Sequence, residues 1–175
     1  VVGRLGLPEA MSGLSFQHLY SEQVTFTVRP DHPLLSKPHF QLKDISHYTV
    51  LYPPKGSITA PSVDRFLLSQ GVTGLDDRIE TVSDSFGKEF IRHNDAVWII
   101  SRGVVAREIA DGELAELPVD TKETLGAVGL TTRADTIDSI ALQLFMNAIR
   151  ETAQTLDGYY RPNDLDYGDA SAQHA

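Results

Sequence analysis

An α/β fold with mainly parallel sheets is predicted for these 175 residues, and three observations predict it. Short apolar runs alternate with helix-like stretches along most of the chain. Residues 96–100 are apolar throughout, as expected of a strand covered on both faces. Pro30, Pro33 and Pro38 fall in one short stretch that can be neither regular helix nor central strand, so it reads as a crossing segment between two parts of the fold.

Val1 and Val2 open an apolar run that stops at Gly3-Arg4, a short strand with no preceding turn. A chain that begins partway into a domain is expected to start this way. Residues 24–28 alternate, with Val24, Phe26 and Val28 on one face and Thr25 and Thr27 on the other, which predicts a half-buried strand. Residues 48–52 form the next strand, stopped by Pro53-Pro54. The segment KGSITAP (55–61) leads into a helix with Pro61 in its first turn and Val63, Phe66 and Leu67 on its apolar side. Gly71 suits its end. A short strand at 79–82 precedes a helix capped by Ser83 or Ser85 and carrying Phe86, Phe90 and Ile91. After the strand at 96–100 come a short helix at 102–109, a turn at Asp111-Gly112 and a strand at 114–119. The last strand, 127–131, feeds a long helix with Asp135 as its expected cap. Ile137, Ile140, Ala141, Leu144, Phe145, Ala148 and Ile149 lie on one side of that helix and are expected to face the core. From residue 157 to 175 the chain turns polar, and this tail is expected to lack fixed structure of its own.

At 41% hydrophobic and 22% charged residues, the chain can bury a sizeable core. No apolar run is long enough for a membrane span, and residues 1–7 do not read as a secretory signal. Cysteine is absent, which excludes disulfides, thiol catalysis and cysteine metal sites and fits a cytoplasmic protein. The net charge of −9 is the wrong sign for a nucleic-acid-binding surface, so any DNA contact is expected to come from another segment.

Three ordered segments carry a resemblance. The first is VVGRL (1–5), followed after an interval by VRPDHPL (28–34). The second, 95–118, runs from a buried strand through a small helix to Asp111-Gly112-Glu113-Leu114 and a strand. VGLTTRAD (128–135), leading into the last helix, is the third. Together they resemble the effector-binding domain of LysR-type transcriptional regulators, and the wording of the second and third is closest to regulators of protocatechuate degradation. A neighbouring group that controls a sugar-binding protein is also similar. The resemblance implies a two-lobed fold like that of periplasmic binding proteins, with its first lobe incomplete here. It places 1–30 and 125–156 in the first lobe, 48–119 in the second, and crossing linkers at 31–47 and 120–124. It also implies a helix-turn-helix head outside these residues, and a homo-oligomer in the intact protein.

The best pocket candidate is 55–59: Lys55, Gly56, Ser57, Ile58 and Thr59. A glycine-containing loop at a helix start offers unpaired N–H groups and a partial positive charge, which suits a carboxylate. The plainer reading is a helix cap with a solvated Lys55. The resemblance favours the site, because effectors in this family commonly sit at this helix start. Arg4, at a strand end, can fork onto a carboxylate, or pair with Glu9. Members that bind muconate-type acids resemble this chain in placing an arginine there. Trp98 either walls the pocket or fills the core. Ser101 and Arg102 follow a strand at its carboxyl end, where ligand crevices of open α/β sheets lie. Arg133 is a weaker candidate, with Asp135 nearby to occupy it. His32, His39 and His47 fit no compact metal-ligand spacing.

No catalytic or cofactor motif is present, so neither an enzyme nor a cofactor is expected. The expected function is sensing: a muconate- or protocatechuate-type carboxylate binds between the lobes, and DNA is contacted only by the head. A regulator that senses a sugar and a transport-associated solute-binding protein of similar fold are the alternatives. The expected protein does not touch a membrane.

Overall fold

The computed structural model describes residues 1–135 and 139–160, with no side-chain description for 156–160. Among the described residues, eight strands form two sheets, accompanied by four α-helices. The strands are β1 (Val2–Arg4), β2 (Leu14–Glu22), β3 (Val24–Val28), β4 (Thr49–Tyr52), β5 (Arg78–Glu80), β6 (Ala96–Ser101), β7 (Ala115–Glu116) and β8 (Gly126–Arg133). The helices are α1 (Ala60–Ser69), α2 (Asp84–His93), α3 (Arg102–Ala110) and α4 (Ile140–Tyr160).

A three-stranded sheet has the order β1-β8-β2 and is antiparallel throughout. The five-stranded sheet has the order β5-β4-β6-β3-β7. Here β4 runs parallel to both β5 and β6, whereas β3 is antiparallel to β6 and β7. The α/β class holds, but one sheet is antiparallel and the other mixed, rather than mainly parallel.

Two expectations about the strands need correction. β2, nine residues long, was not legible, because its side chains are mostly exposed and carry no clean alternation. β3 is buried on both faces, threonines included, because it lies inside the five-stranded sheet between β6 and β7. Its place in that sheet puts the change from one sheet to the other at Gln23, not near Pro30. Residues 31–47 are therefore not a crossing. They form short 3-10 turns whose Leu34 and Ile45 pack into the core of the five-stranded sheet. Residues 120–124 connect β7 of the five-stranded sheet to β8 of the three-stranded one.

Two apolar clusters cover the five-stranded sheet. One joins Phe26, Val50, Val97 and Ile99 to Val63, Phe66 and Leu67 of α1. On the other face Leu51, Trp98 and Ile91 meet Val105 and Leu114. Local chemistry sets the helix ends. Ser83 accepts the Phe86 N–H to cap α2, and Gly71 at φ +74° closes α1. Ser139, not Asp135, caps α4, accepting from the Leu142 N–H at 3.2 Å, while Asp135 pairs with Arg133. The helix continues through Gly158 to Tyr160, beyond the expected start of the tail. Ile137, expected on the apolar side of this helix, and residues 161–175 of the expected tail lie outside the described residues.

Candidate functional site

β4 and β6 are parallel, so the loop after β4 and the residues after β6 leave the five-stranded sheet at the same end. β3 begins at that end too, with Val24 opposite Ser101. The first crossing, Glu22 to Val24, therefore arrives beside the carboxyl end of β6. The second crossing is pinned against it: Thr124 Oγ1 accepts from the Val24 N–H at 3.0 Å, and Thr121 Oγ1 donates to the Val24 carbonyl at 2.6 Å. Both threonines are buried.

Arg4 reaches into this junction from β1. Its Nε and Nη2 lie 3.3 and 3.2 Å from Ser101 Oγ, and Nη2 also donates to the Glu22 carbonyl at 3.2 Å. The Glu22 carboxylate stands 3.6 Å from Nε. The Arg4 and Glu22 side chains are only 12% and 11% exposed, so the pair is largely withdrawn from water. Burial lowers the guanidinium pKa below the usual arginine value, and the fields of Glu22 and Tyr20 work against that. A buried cation that keeps donors near a crossing between two sheets is suited to a carboxylate. The expected alternative partner, Glu9, is not the one observed.

The other expected residues divide. Ser101 faces Arg4. Arg102 follows it, but its guanidinium forks onto Glu116, with Nε–Oε1 at 3.0 Å and Nη2–Oε2 at 3.2 Å. Its own N–H donates to the Gln23 carbonyl, which fastens α3 to the crossing. Trp98 does not wall a pocket. It is 1% exposed and packs so closely on Gly87 that a Cβ there would lie 2.5 Å from the ring.

The 55–59 loop leaves the sheet at the same end as Ser101, yet no hydrogen bond among the described residues joins it to Arg4 or Ser101. Gly56 sits at φ +87°, and the Ser57 N–H donates to the Pro54 carbonyl. Ser57 Oγ accepts from the Ala60 N–H at 3.2 Å, so this hydroxyl acts as a cap. The Thr59 carbonyl accepts from Ser62 and Val63. The Lys55 N–H donates to Glu80, and Ile58 is exposed. Glu22 was missed, as were Thr121 and Thr124. Only the long-range pairing of β1, β2 and β8 brings Glu22 beside Arg4.

Two cavities lie elsewhere. One of about 350 Å³ is bounded by Phe40, Leu42, Val119 and Lys122, and another of about 270 Å³ by Tyr52, Asp64, Leu68 and Arg78. Among the described residues no group of His, Asp and Glu is placed to hold a metal, and no helix is long and apolar enough to cross a membrane.

Comparison with known proteins finds relatives of this chain. The family model "LysR substrate binding domain" matches residues 2–154. The HTH-type transcriptional regulator PcaQ of Agrobacterium fabrum is 55% identical over 156 residues, covering 89% of this chain and 50% of that protein. YdcI of Escherichia coli, described as an uncharacterized HTH-type transcriptional regulator, is 32% identical over 151 residues, 86% of this chain and 49% of that protein. The regulatory domain of CcmR from Synechocystis has the same fold, with a TM-score of 0.67 at 19% identity, over 89% of this chain and 73% of that one. The chain spans about half the length of the curated relatives it matches.

Proposed function

The chain belongs to the LysR substrate-binding domain family, and from that premise we propose that it is the effector-sensing part of a DNA-binding transcriptional regulator. Its effector is a small anionic metabolite, a muconate- or protocatechuate-type carboxylate, received where the two sheets meet. The observation that carries this reading is the buried Arg4 guanidinium, held at the sheet crossing by Ser101 and Glu22. Arg4 belongs to one sheet and Ser101 to the other, so a carboxylate on this guanidinium bears on both. It changes their equilibrium by as much as its affinity for the two arrangements differs. The start of α1 supplies the second grip, through the backbone N–H groups of 58 and 59, since the Ser57 N–H and hydroxyl are both already engaged.

The net charge of −9 leaves DNA contact to a helix-turn-helix segment of the longer protein. The relatives named above are transcriptional regulators, which accords with a cytoplasmic oligomer and not with an enzyme.

Calorimetric titration of the intact regulator with cis,cis-muconate and with protocatechuate tests the reading. Charge-assisted hydrogen bonds are worth roughly 1.5–3 kcal/mol, so Arg4→Ala should weaken binding about tenfold or more. Binding of a neutral sugar, with both acids ignored, would overturn the ligand class and leave the family membership standing.

A further inference from the structure

We propose that Gly126 sets the charge class of the ligand at this junction, because its missing side chain lets Arg4 cross β8. The proposal rests on the anion-binding reading above and adds the residue that makes Arg4 available to it.

In the sheet order β1-β8-β2, Arg4 lies on one edge strand and Glu22 on the other. Arg4 is in register with Val128 and Glu22 with Gly126, so all four residues share one face of the sheet. To reach the Glu22 carbonyl and Ser101, the Arg4 side chain must pass diagonally over β8, and it passes over Gly126. A Cβ built there would lie 2.6 Å from Arg4 Nη1 and 3.6 Å from Cζ. No real side chain tolerates the first distance.

What gives way is decided by what stands in the path. At Gly129 on the same strand, a Cβ would lie 2.1 Å from the Gln17 carbonyl oxygen, which is backbone, so the sheet itself would have to part. The obstacle at Gly126 is the far end of a flexible side chain, and the next nearest atom, the Thr124 carbonyl oxygen, is 4.0 Å away. A side chain at 126 therefore displaces the guanidinium and leaves the strand in place. Displacement breaks the bonds to Ser101 and the Glu22 carbonyl. It also leaves the Glu22 carboxylate, 11% exposed, without its cation. The junction then presents a buried negative charge in place of a compensated positive one, and an arriving carboxylate is repelled.

The test uses the intact polypeptide with Gly126→Ala, Gly126→Val, Arg4→Ala and the double variant Arg4→Ala/Gly126→Ala. Each is titrated with cis,cis-muconate and with its uncharged dimethyl ester. Gly126→Ala should weaken the dianion about tenfold, the scale of one lost charge-assisted bond, with ester binding unchanged. In the Arg4→Ala background it should add nothing. Thermal unfolding without ligand supplies an independent arm: Gly126→Ala should lower Tm when Arg4 is present and not when it is replaced. Dianion binding by Gly126→Ala within twofold of the parent, or additive effects in both cycles, overturns the proposal while the anion reading stands. If the parent binds no muconate, the anion reading falls, and the ligand-free cycle alone decides whether Gly126 positions Arg4.

Discussion

Arg4 Nη2 donates to Ser101 Oγ at 3.2 Å, a bond between residues 97 apart that ties β1 of one sheet to the end of β6 in the other. The two ends of this bond are unequal. Ser101→Ala removes an acceptor, and the guanidinium keeps the Glu22 carbonyl and carboxylate. Arg4→Ala strands a mostly buried carboxylate with no cation. Losing one hydrogen bond costs about 1 kcal/mol, whereas breaking a buried ion pair by removing one partner costs about 3 kcal/mol or more. Denaturant unfolding should therefore show Arg4→Ala as clearly the more damaging of the two. Equal losses would mean that Glu22 draws little from Arg4.

Trp98 fills the core, and its neighbour Gly87 has no room for a side chain. Trp98→Ala should cost about 3–5 kcal/mol, as other large-to-small core changes do. Gly87→Ala should be damaging as well, because the obstacle is an aromatic ring packed on all sides. Trp98→Phe gives a smaller ring, and combining it with Gly87→Ala should recover part of the loss. Calorimetric Tm values for the four proteins check this, and strictly additive losses would contradict it.

Where the chain was legible and where it was not follows from the range of the forces involved. The strands 96–100 and 48–52, the helix with Ser83 at its cap and the stop at Gly71 are written in neighbouring residues. β2 was not, because its exposed residues carry no apolar rhythm and its place is set by pairing with β8, more than 100 residues away. Strand ends pointed to Arg4 and Ser101 as candidates, and the two are hydrogen-bonded to each other. Their meeting, and the part of Glu22 and Gly126 in it, depends on two sheets crossing at Gln23. Trp98 was ambiguous because an apolar strand buries its aromatic equally well in a core or beside a ligand. The glycine loop at 55–59 carried a cap and a pocket signature at once, and the Ser57 hydroxyl serves as the cap.

His32 gives the fold a pH dependence. Its Nδ1 accepts from the Leu34 N–H at 3.1 Å, and its Nε2 is buried with no hydrogen-bond partner among the described residues. Protonation would place a second donor against the Leu34 N–H. Burial lowers the His32 pKa below the ordinary histidine value, although Asp95 and Asp31 oppose the shift and Arg29 adds to it. The unfolded chain then binds the proton more readily than the folded one. The stability from His32 is complete above the unfolded value of about 6.5 and is lost as pH falls through the lower folded value. Each proton taken up only on unfolding adds a slope of at most about 1.4 kcal/mol per pH unit. Tm measured from pH 7.5 to 5.5 should fall, and fall less steeply in His32→Asn, which keeps a capping acceptor without titrating in this range. Identical slopes would assign the effect to other groups.

The apolar stripe of α4 is mostly exposed, contrary to the expectation from its spacing. Ile140, Leu144 and Phe145 are 77%, 65% and 61% exposed, while Met146 and Ala153 are buried. Arg150 reaches Gln17 of β2 with Nη2 at 2.7 Å from Oε1, so the helix seats on the sheet through the side carrying 146, 150 and 153. Spacing shows that a stripe is apolar, but what covers it depends on what lies opposite, and for this stripe the described residues supply little. Substitutions on the two sides should then diverge. Leu144→Ser and Phe145→Ser remove side chains already in water and should change stability by less than about 0.5 kcal/mol. Met146→Ala opens a space against β2 and should cost about 2 kcal/mol or more. A contiguous exposed apolar face also favours association between copies, so sedimentation velocity on these 175 residues should show concentration-dependent association that Leu144→Glu/Phe145→Glu suppresses. If Leu144→Ser cost as much as Met146→Ala, the helix would be seated on the stripe its spacing suggested, and the observed packing of α4 would be wrong.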